Sequence, residues 1–311
     1  MAPRRDSLIT SLALLLSHLV VALVALVAIG GATRVMEAGL ACPDWPLCYG
    51  VLLPGQQMNM QVFLEWFHRL DAFLVGVALL VLCAISLLRR RLLPAWLPWF
   101  SAAALLMVAV QGALGALTVT RLLASDIVTA HLATALALVA LMSAGYQRLA
   151  APAESPPIWF RVLSSLALVL VFAQCVLGGS MASQWAADRC FSAGDACRWL
   201  LAHRIGAYPA AAAVLAMAIG SLTLPRRCRH LQGLALGATA LVAAQVVLGI
   251  LTLSQQLQVP GLTVAHQLVA ALLVAVLAAI LGRSAVPSSV ADAPAACGIP
   301  NPSLSAKVAH G

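Results

Sequence analysis

Eight apolar runs, each long enough to cross a bilayer, constrain this chain more than any other feature. They cover roughly residues 8–30, 66–88, 95–119, 127–149, 158–180, 202–224, 231–253 and 262–282. About 20 apolar residues make one spanning helix. In hydrocarbon every backbone N–H and C=O must find its partner inside its own segment, so such runs become helices. The expected fold class is an all-α integral membrane protein with eight transmembrane helices. A composition that is 62% hydrophobic and 9% charged, with a mean hydropathy of +0.99, excludes an ordinary soluble domain. The first run follows Arg4-Arg5 and has the outline of a signal peptide. It lacks a small-residue cleavage site at the right distance, and its Gly30-Gly31 pair returns as Gly178-Gly179, so we read it as a true span.

The net charge of +8 sorts by loop and does not point to nucleic acid. With the N-terminus inside, the inner side carries Arg4, Arg5, the run Arg89-Arg90-Arg91, and basic residues at every later inner loop. The outer side carries only Arg34, Arg69, Arg121, Arg189, Arg198 and Arg204. The positive-inside rule then places both termini in the cytoplasm. Cys42 and Cys48 share the first outer loop and Cys190 and Cys197 share the third, facing an oxidising compartment where disulfides persist. Cys83, Cys175, Cys228 and Cys297 read as small hydrophobes or free thiols. The tail, 284–311, is rich in Ala, Pro and Ser and reads as disordered and cytoplasmic.

The chain repeats itself. His203 lies 135 residues after His68, and His266 lies 135 after His131. Gln111-x-x-Leu114-Gly115-x-Leu117-Thr118 returns 134 residues later as Gln245-x-x-Leu248-Gly249-x-Leu251-Thr252. Segments one to four therefore match segments five to eight, as two pseudo-repeated four-helix bundles. The expected boundaries are 1–150 for the first half and 151–283 for the second. The first outer loop, 31–64, is 13 residues longer than its counterpart, because the two glycine pairs are 148 rather than 135 apart. Such a loop is a candidate lid.

A single histidine in a span is more often a bonded packing residue than a ligand. His18 reads that way, and His230 and His310 carry no signal. Four histidines at matched positions, each near the outer start of its helix, read differently. Two per half, on separate helices, approach a metal from opposite sides, as axial ligands of a haem do. Zinc or copper would want three or four converging donors. The halves are unequal: Glu65 and Asp71 in the first face Leu200 and Gly206 in the second. Glu65 and His68 are three apart and share a helix face, with Arg69 turned about 100° away. Unequal halves suggest one haem as cofactor and one site for chemistry. A two-haem b-type electron-transfer cytochrome and a non-catalytic haem carrier are the alternatives.

Three elements together carry a resemblance: Gly30-Gly31-Ala32-Thr33-Arg34, then Gly39 to Gly50 with Cys42-Pro43-Asp44-Trp45-Pro46-Leu47-Cys48, then Glu65-x-x-His68-Arg69. They resemble the haem A synthase family, in its bacterial, cysteine-bearing form, over all eight segments. The resemblance implies an oxidoreductase that oxidises a methyl group of haem O to the formyl group of haem A, for the terminal oxidase. It implies a haem b cofactor with iron on His203 and His266, and substrate haem O on His68 and His131. Glu65 corresponds to the family's acidic residue and would act with His68 and His131 in catalysis. Cys42–Cys48 and Cys190–Cys197 correspond to its disulfides, the first implicated in activity and the second structural. Arg34, Arg69, Arg121 and Arg204 are candidate partners for haem propionates. The partners implied are haem O, haem A, a haem O synthase, the oxidase assembly line, an electron donor that the residues do not identify, membrane lipid and a homo-oligomer. The place implied is a bacterial inner membrane, with haem sites near the periplasmic face.

Overall fold

The computed structural model describes residues 2–183 and 198–284. The expected Cys190–Cys197 pair and all but the first residue of the expected 284–311 tail lie outside the described residues. Eight helices follow in order: α1 (Ala2–Val35), α2 (Met60–Leu88), α3 (Leu97–Thr120), α4 (Ser125–Ala150), α5 (Ile158–Ser183), α6 (Arg198–Ser221), α7 (Arg229–Ser254) and α8 (Pro260–Arg283). All eight are long and apolar enough to cross a membrane.

The helices close into two rings of four. In the first, α1 packs on α2 and α4, and α3 joins α2 to α4; in the second, α5 packs on α6 and α8, and α7 joins α6 to α8. Each ring has its own apolar centre, one around Leu16, Leu79, Leu97 and Met142, the other around Phe160, Met217, Leu231 and Leu277. The rings meet along α4 and α8, flanked by the contacts of α1 with α8 and of α4 with α5. Position in the assembly decides burial. Half of the most apolar stretch of α8 is buried, against 11% for α3 at the periphery. A peripheral helix turns its apolar side chains to lipid, where they incur no penalty.

Close crossings at the centre rest on small residues. Ser143 Oγ of α4 donates to Ala275 O of α8 at 2.7 Å. About two turns further along α8, a Cβ on Gly282 would meet the backbone of Ala144. Backbone atoms have no rotamer to escape into, so Gly282→Val is expected to force α4 and α8 apart and to cost about 3 kcal/mol. Thermal unfolding of the purified protein in detergent checks this; an unchanged midpoint refutes it.

The linker between the halves is pinned at the same end. Glu154 N donates to Arg283 O at 2.9 Å, and Arg283 Nε returns a bond to Glu154 Oε1 at 2.8 Å. His230 Nδ1 lies 3.0 Å from that same oxygen, and Arg283 reaches Gln147 Oε1 of α4 at 3.3 Å. His230, silent in the sequence, thus has a structural partner.

At the end of the bundle that carries the loop between α1 and α2, three helices finish alike. Ala38 N, Leu123 N and Leu257 N each donate five residues back, to Thr33 O, Thr118 O and Thr252 O. This closure passes through left-handed residues, Glu37, Leu122 and Gln256 among them. One boundary differs from expectation. The long loop is shorter than 31–64, because α1 continues to Val35 and α2 already starts at Met60. Asn59 explains the early start: its side chain accepts from Val62 N at 2.9 Å and caps the helix. Glu65 and His68 therefore lie inside α2 rather than at its first turn.

Candidate functional site

Each of the four histidines stands against a glycine of the helix that precedes its own. A Cβ on Gly30 would lie 3.1 Å from His68 Cε1, and one on Gly115 would lie 3.6 Å from His131 Cε1. In the second half, Gly178 would meet His203 Cε1 at 2.8 Å and Gly249 would meet His266 Cε1 at 3.1 Å. A side chain at Gly30, Gly178 or Gly249 would crowd the ring it faces, whereas one at Gly115 would only touch it. Within each half the two histidines lie within electrostatic reach of one another, His68 with His131 and His203 with His266. The ring Nδ1 atoms of His68, His131 and His266 are buried without a hydrogen-bond partner. Buried ring nitrogens usually find partners, so these three rings keep a donor or acceptor that a bound group could use. Among the described residues, no three His, Cys, Asp or Glu side chains gather as a cluster for a bare metal ion. Paired imidazoles on opposing helices fit a haem iron, which needs two axial donors.

Glutamines complete the setting. Gln111 Nε2 donates to His131 O at 3.1 Å. Gln174 Nε2 donates to His203 O at 2.6 Å and lies 2.9 Å from His203 Nδ1. Gln245 Nε2 lies 3.2 Å from His266 Nε2. The sequence singled out Gln111 and Gln245 as polar groups in lipid but passed over Gln174. The missed signal was its spacing: it stands four before Gly178, as Gln111 stands four before Gly115.

The second glycine of each pair serves the other half. Gly31 of α1 leaves room for Gln267 of α8, whose Oε1 would be 2.6 Å from a Cβ there, and Gln267 Nε2 donates to Val27 O at 3.0 Å. Gly179 of α5 likewise leaves room for Leu132 of α4, whose Cδ2 would be 2.7 Å from a Cβ. Gln267 follows His266 and Leu132 follows His131, so at these two of the four histidines the next residue reaches into the opposite ring.

Beside the first site a disulfide loop is fastened to α2. Cys42 and Cys48 form a disulfide with Cα atoms 4.8 Å apart. Both cysteines are buried, with Val62 of α2 beneath them. Arg69 holds this loop by its carbonyls: Nη1 donates to Asp44 O and Leu47 O, both at 2.6 Å, and Nη2 donates to Cys42 O at 3.3 Å. Nη2 also pairs with Glu65 Oε1 at 2.5 Å, while Glu65 Oε2 accepts from Cys42 N at 2.8 Å. Asp44 closes the loop on itself through Tyr49 N and Gly50 N. Four of the five N–H donors of Arg69 are thus spent on Glu65 and the loop. Glu65 is only 5% exposed, and both its oxygens are engaged. These two residues, Glu65 one turn before His68 and Arg69 next to it, tie the disulfide loop to α2.

The other residues singled out from the sequence fall in three places. Arg34 lies half-buried in the last turn of α1, while Arg121 caps the end of α3 and Arg204 follows His203, both exposed. Asp71 is half-buried one turn below His68 on the same face of α2. His18 bonds Leu14 O of its own helix at 2.7 Å and stands apart from all four ring sites, as a packing histidine would.

The sequence profile of the family described as cytochrome oxidase assembly protein, COX15-CtaA, matches residues 13–278. A heme A synthase of Shewanella oneidensis is 31% identical, over 81% of this chain and 90% of the relative. Heme A synthases of Sphingopyxis alaskensis and Caulobacter vibrioides are 29% and 31% identical, over 86% and 83% of this chain and 90% and 92% of their own lengths.

Proposed function

The chain belongs to the COX15-CtaA family of cytochrome oxidase assembly proteins, and from that premise we propose that it is a haem A synthase, an oxidoreductase that converts haem O to haem A. The observation that carries this reading is the pairing of like with unlike: two histidine pairs set against glycines in the same way, with Glu65 and Arg69 tying a disulfide loop to the helix of His68, where the second half has Leu200 in place of the glutamate. The names of the relatives support it.

In this reading His203 and His266 hold a haem b cofactor, and His68 and His131 hold haem O. The bound iron supplies one-electron transfer. Everything else falls to the chain. The four rings, set by glycines and glutamines, orient the two macrocycles. Gln267 joins the halves at the level of the ligands, fixing one site relative to the other. The loop around Cys42–Cys48 excludes water from the first site, and Glu65 and Arg69 keep it seated. Glu65 is the acidic group nearest the loop side of that site, where it balances developing positive charge or moves a proton. Arg34 and Arg121, at outer helix ends in the first half, and Arg204 in the second, are the cations available to propionates. The Nε of Arg69 is what that side chain still has to offer. The farnesyl tail of haem O stays among apolar side chains and lipid.

The orientation follows from the charge bias: both termini cytoplasmic and the haem sites near the periplasmic face of a bacterial inner membrane. Haem O synthase upstream, terminal oxidase assembly downstream and a separate electron donor are its partners.

The test is haem extraction and chromatography from cells that express the chain beside a haem O source. Haem A in the extract, with about one tightly held haem b per purified chain, is the expected result. Two haem b per chain and no haem A would identify an electron-transfer cytochrome instead. Haem O bound and recovered unchanged would identify a carrier.

A further inference from the structure

The loop between α1 and α2 exposes an apolar tip. Leu52 is 83% exposed and Leu53 62%, and Trp45, Tyr49 and Val51 stand open nearby in the chain. From Trp45 to Leu64 no residue is charged. An exposed apolar patch of this kind marks a surface that meets another protein or a membrane.

Trp66 fixes the level of this tip along α2. Its Nε1 donates to Leu52 O at 2.7 Å, which holds Leu52 against the second turn of the helix. At its other end α2 stops at Leu88, and Arg89-Arg90-Arg91 follow. About 20 helical residues cross the hydrocarbon, so counting back from Leu88 puts the opposite boundary near Arg69. Trp66 stands one turn beyond that, about 5 Å farther out, at the headgroup level where indole rings collect.

The same helix turns a continuous apolar side away from the bundle. Phe63, Phe67, Leu70, Leu74, Val77 and Val81 recur at intervals of three and four, and all are exposed. Residues so spaced share one face, and on a spanning helix an outward apolar face meets lipid. Phe63 heads this stripe, its ring stacked on Phe67 at 5.6 Å and 6.2 Å from the ring of Trp66. Through Trp66 the loop tip therefore joins the end of a lipid-facing surface.

We propose that residues 51–53 are a membrane anchor for the disulfide loop. Val51, Leu52 and Leu53 enter the leaflet at this end of the bundle, where headgroups meet acyl chains, and phospholipid covers them. Burial of three apolar side chains at that depth is favourable, and the lack of any charge nearby leaves nothing to oppose it. The loop is then fastened twice, to α2 by Glu65 and Arg69 and to the bilayer by its tip. This requires only that α2 spans the membrane and is independent of how the haems are assigned.

A photoreactive side chain in the full-length protein, illuminated in the membranes of the cells that make it, tests this. Leu52→benzoylphenylalanine puts the probe at the tip, and Leu74→benzoylphenylalanine puts it on the stripe as the reference for lipid contact. The peptide that carries position 52 is expected to gain the mass of a phospholipid, as is the peptide that carries position 74. A lipid adduct at 74 with none at 52 overturns the proposal. A crosslink from 52 to a second copy of the chain, or to another protein, in place of lipid overturns it as well. Should the Leu52 variant fail to accumulate, Leu53→benzoylphenylalanine decides by the same criteria. The functional reading fails separately: a lipid adduct at 52 in a chain that makes no haem A keeps the anchor and removes the synthase.

Discussion

His203→Ala is expected to yield a folded chain that purifies without its tightly held haem, while His68→Ala keeps that haem and makes no haem A. The difference follows from what each ring has around it. His203 packs on Gly178 and receives Gln174 at both its carbonyl and its ring. Gln174 and Gly178 thus fix where His203 sits, and removing the imidazole takes away one of the two nitrogen donors proposed for the haem b. The loss of affinity should be at the upper end of the 10–100-fold range typical of lesser changes around metal ligands. His68 lies in the other ring of helices, with no glutamine, so its loss leaves the second site intact. Haem content per chain, measured on both purified variants with haem chromatography of the cells, separates the outcomes. Haem b lost from His68→Ala and kept in His203→Ala would exchange the roles of the halves. Equal loss from both would end the division into cofactor and substrate sites.

Glu65→Ala should cut haem A output at least about tenfold while the haem b stays. The carboxylate has two tasks in the structure, pairing with Arg69 at 2.5 Å and accepting from Cys42 N at 2.8 Å. Its removal leaves a largely buried guanidinium without its counter-charge and a buried N–H without an acceptor. Breaking a buried pair from one side costs about 3–5 kcal/mol, and here that cost falls on the seating of the loop. Limited proteolysis should therefore cut within 36–59 in the variant and not in wild type. Glu65→Gln separates the two roles. It retains an acceptor for Cys42 N but no charge. Full output from Glu65→Gln would assign the residue to holding the loop, and loss of output with a protected loop would assign it to charge or proton transfer. Unchanged output from Glu65→Ala would remove it from the mechanism.

Much of this was legible because it is local or periodic. Apolar runs of spanning length admit one secondary structure in a bilayer, so the eight helices follow from composition and length. The repeated offsets of His68, His131, His203 and His266 follow from counting. The motif around Gln111 and Gln245 was visible, as was the asymmetry of Glu65 with Leu200 and of Asp71 with Gly206.

What the sequence left open depends on which faces meet across space. Arg69 read as a headgroup or propionate partner, because a helix period gives a direction and not a neighbour. Folding brings the carbonyls of residues 42, 44 and 47 to its guanidinium, across 22 to 27 positions of chain. Gly30-Gly31 read only as a pair that returns in segment five. Only packing assigned the first glycine to His68 of its own half and the second to Gln267, 240 positions from its acceptor Val27. Sequence alone determined the helices and the matched spacing of the four histidines, because hydrophobicity and periodicity are properties of single segments. The tertiary structure decided which glycine, glutamine and loop carbonyl each of these helices meets, because that is set by contacts between segments far apart in the chain.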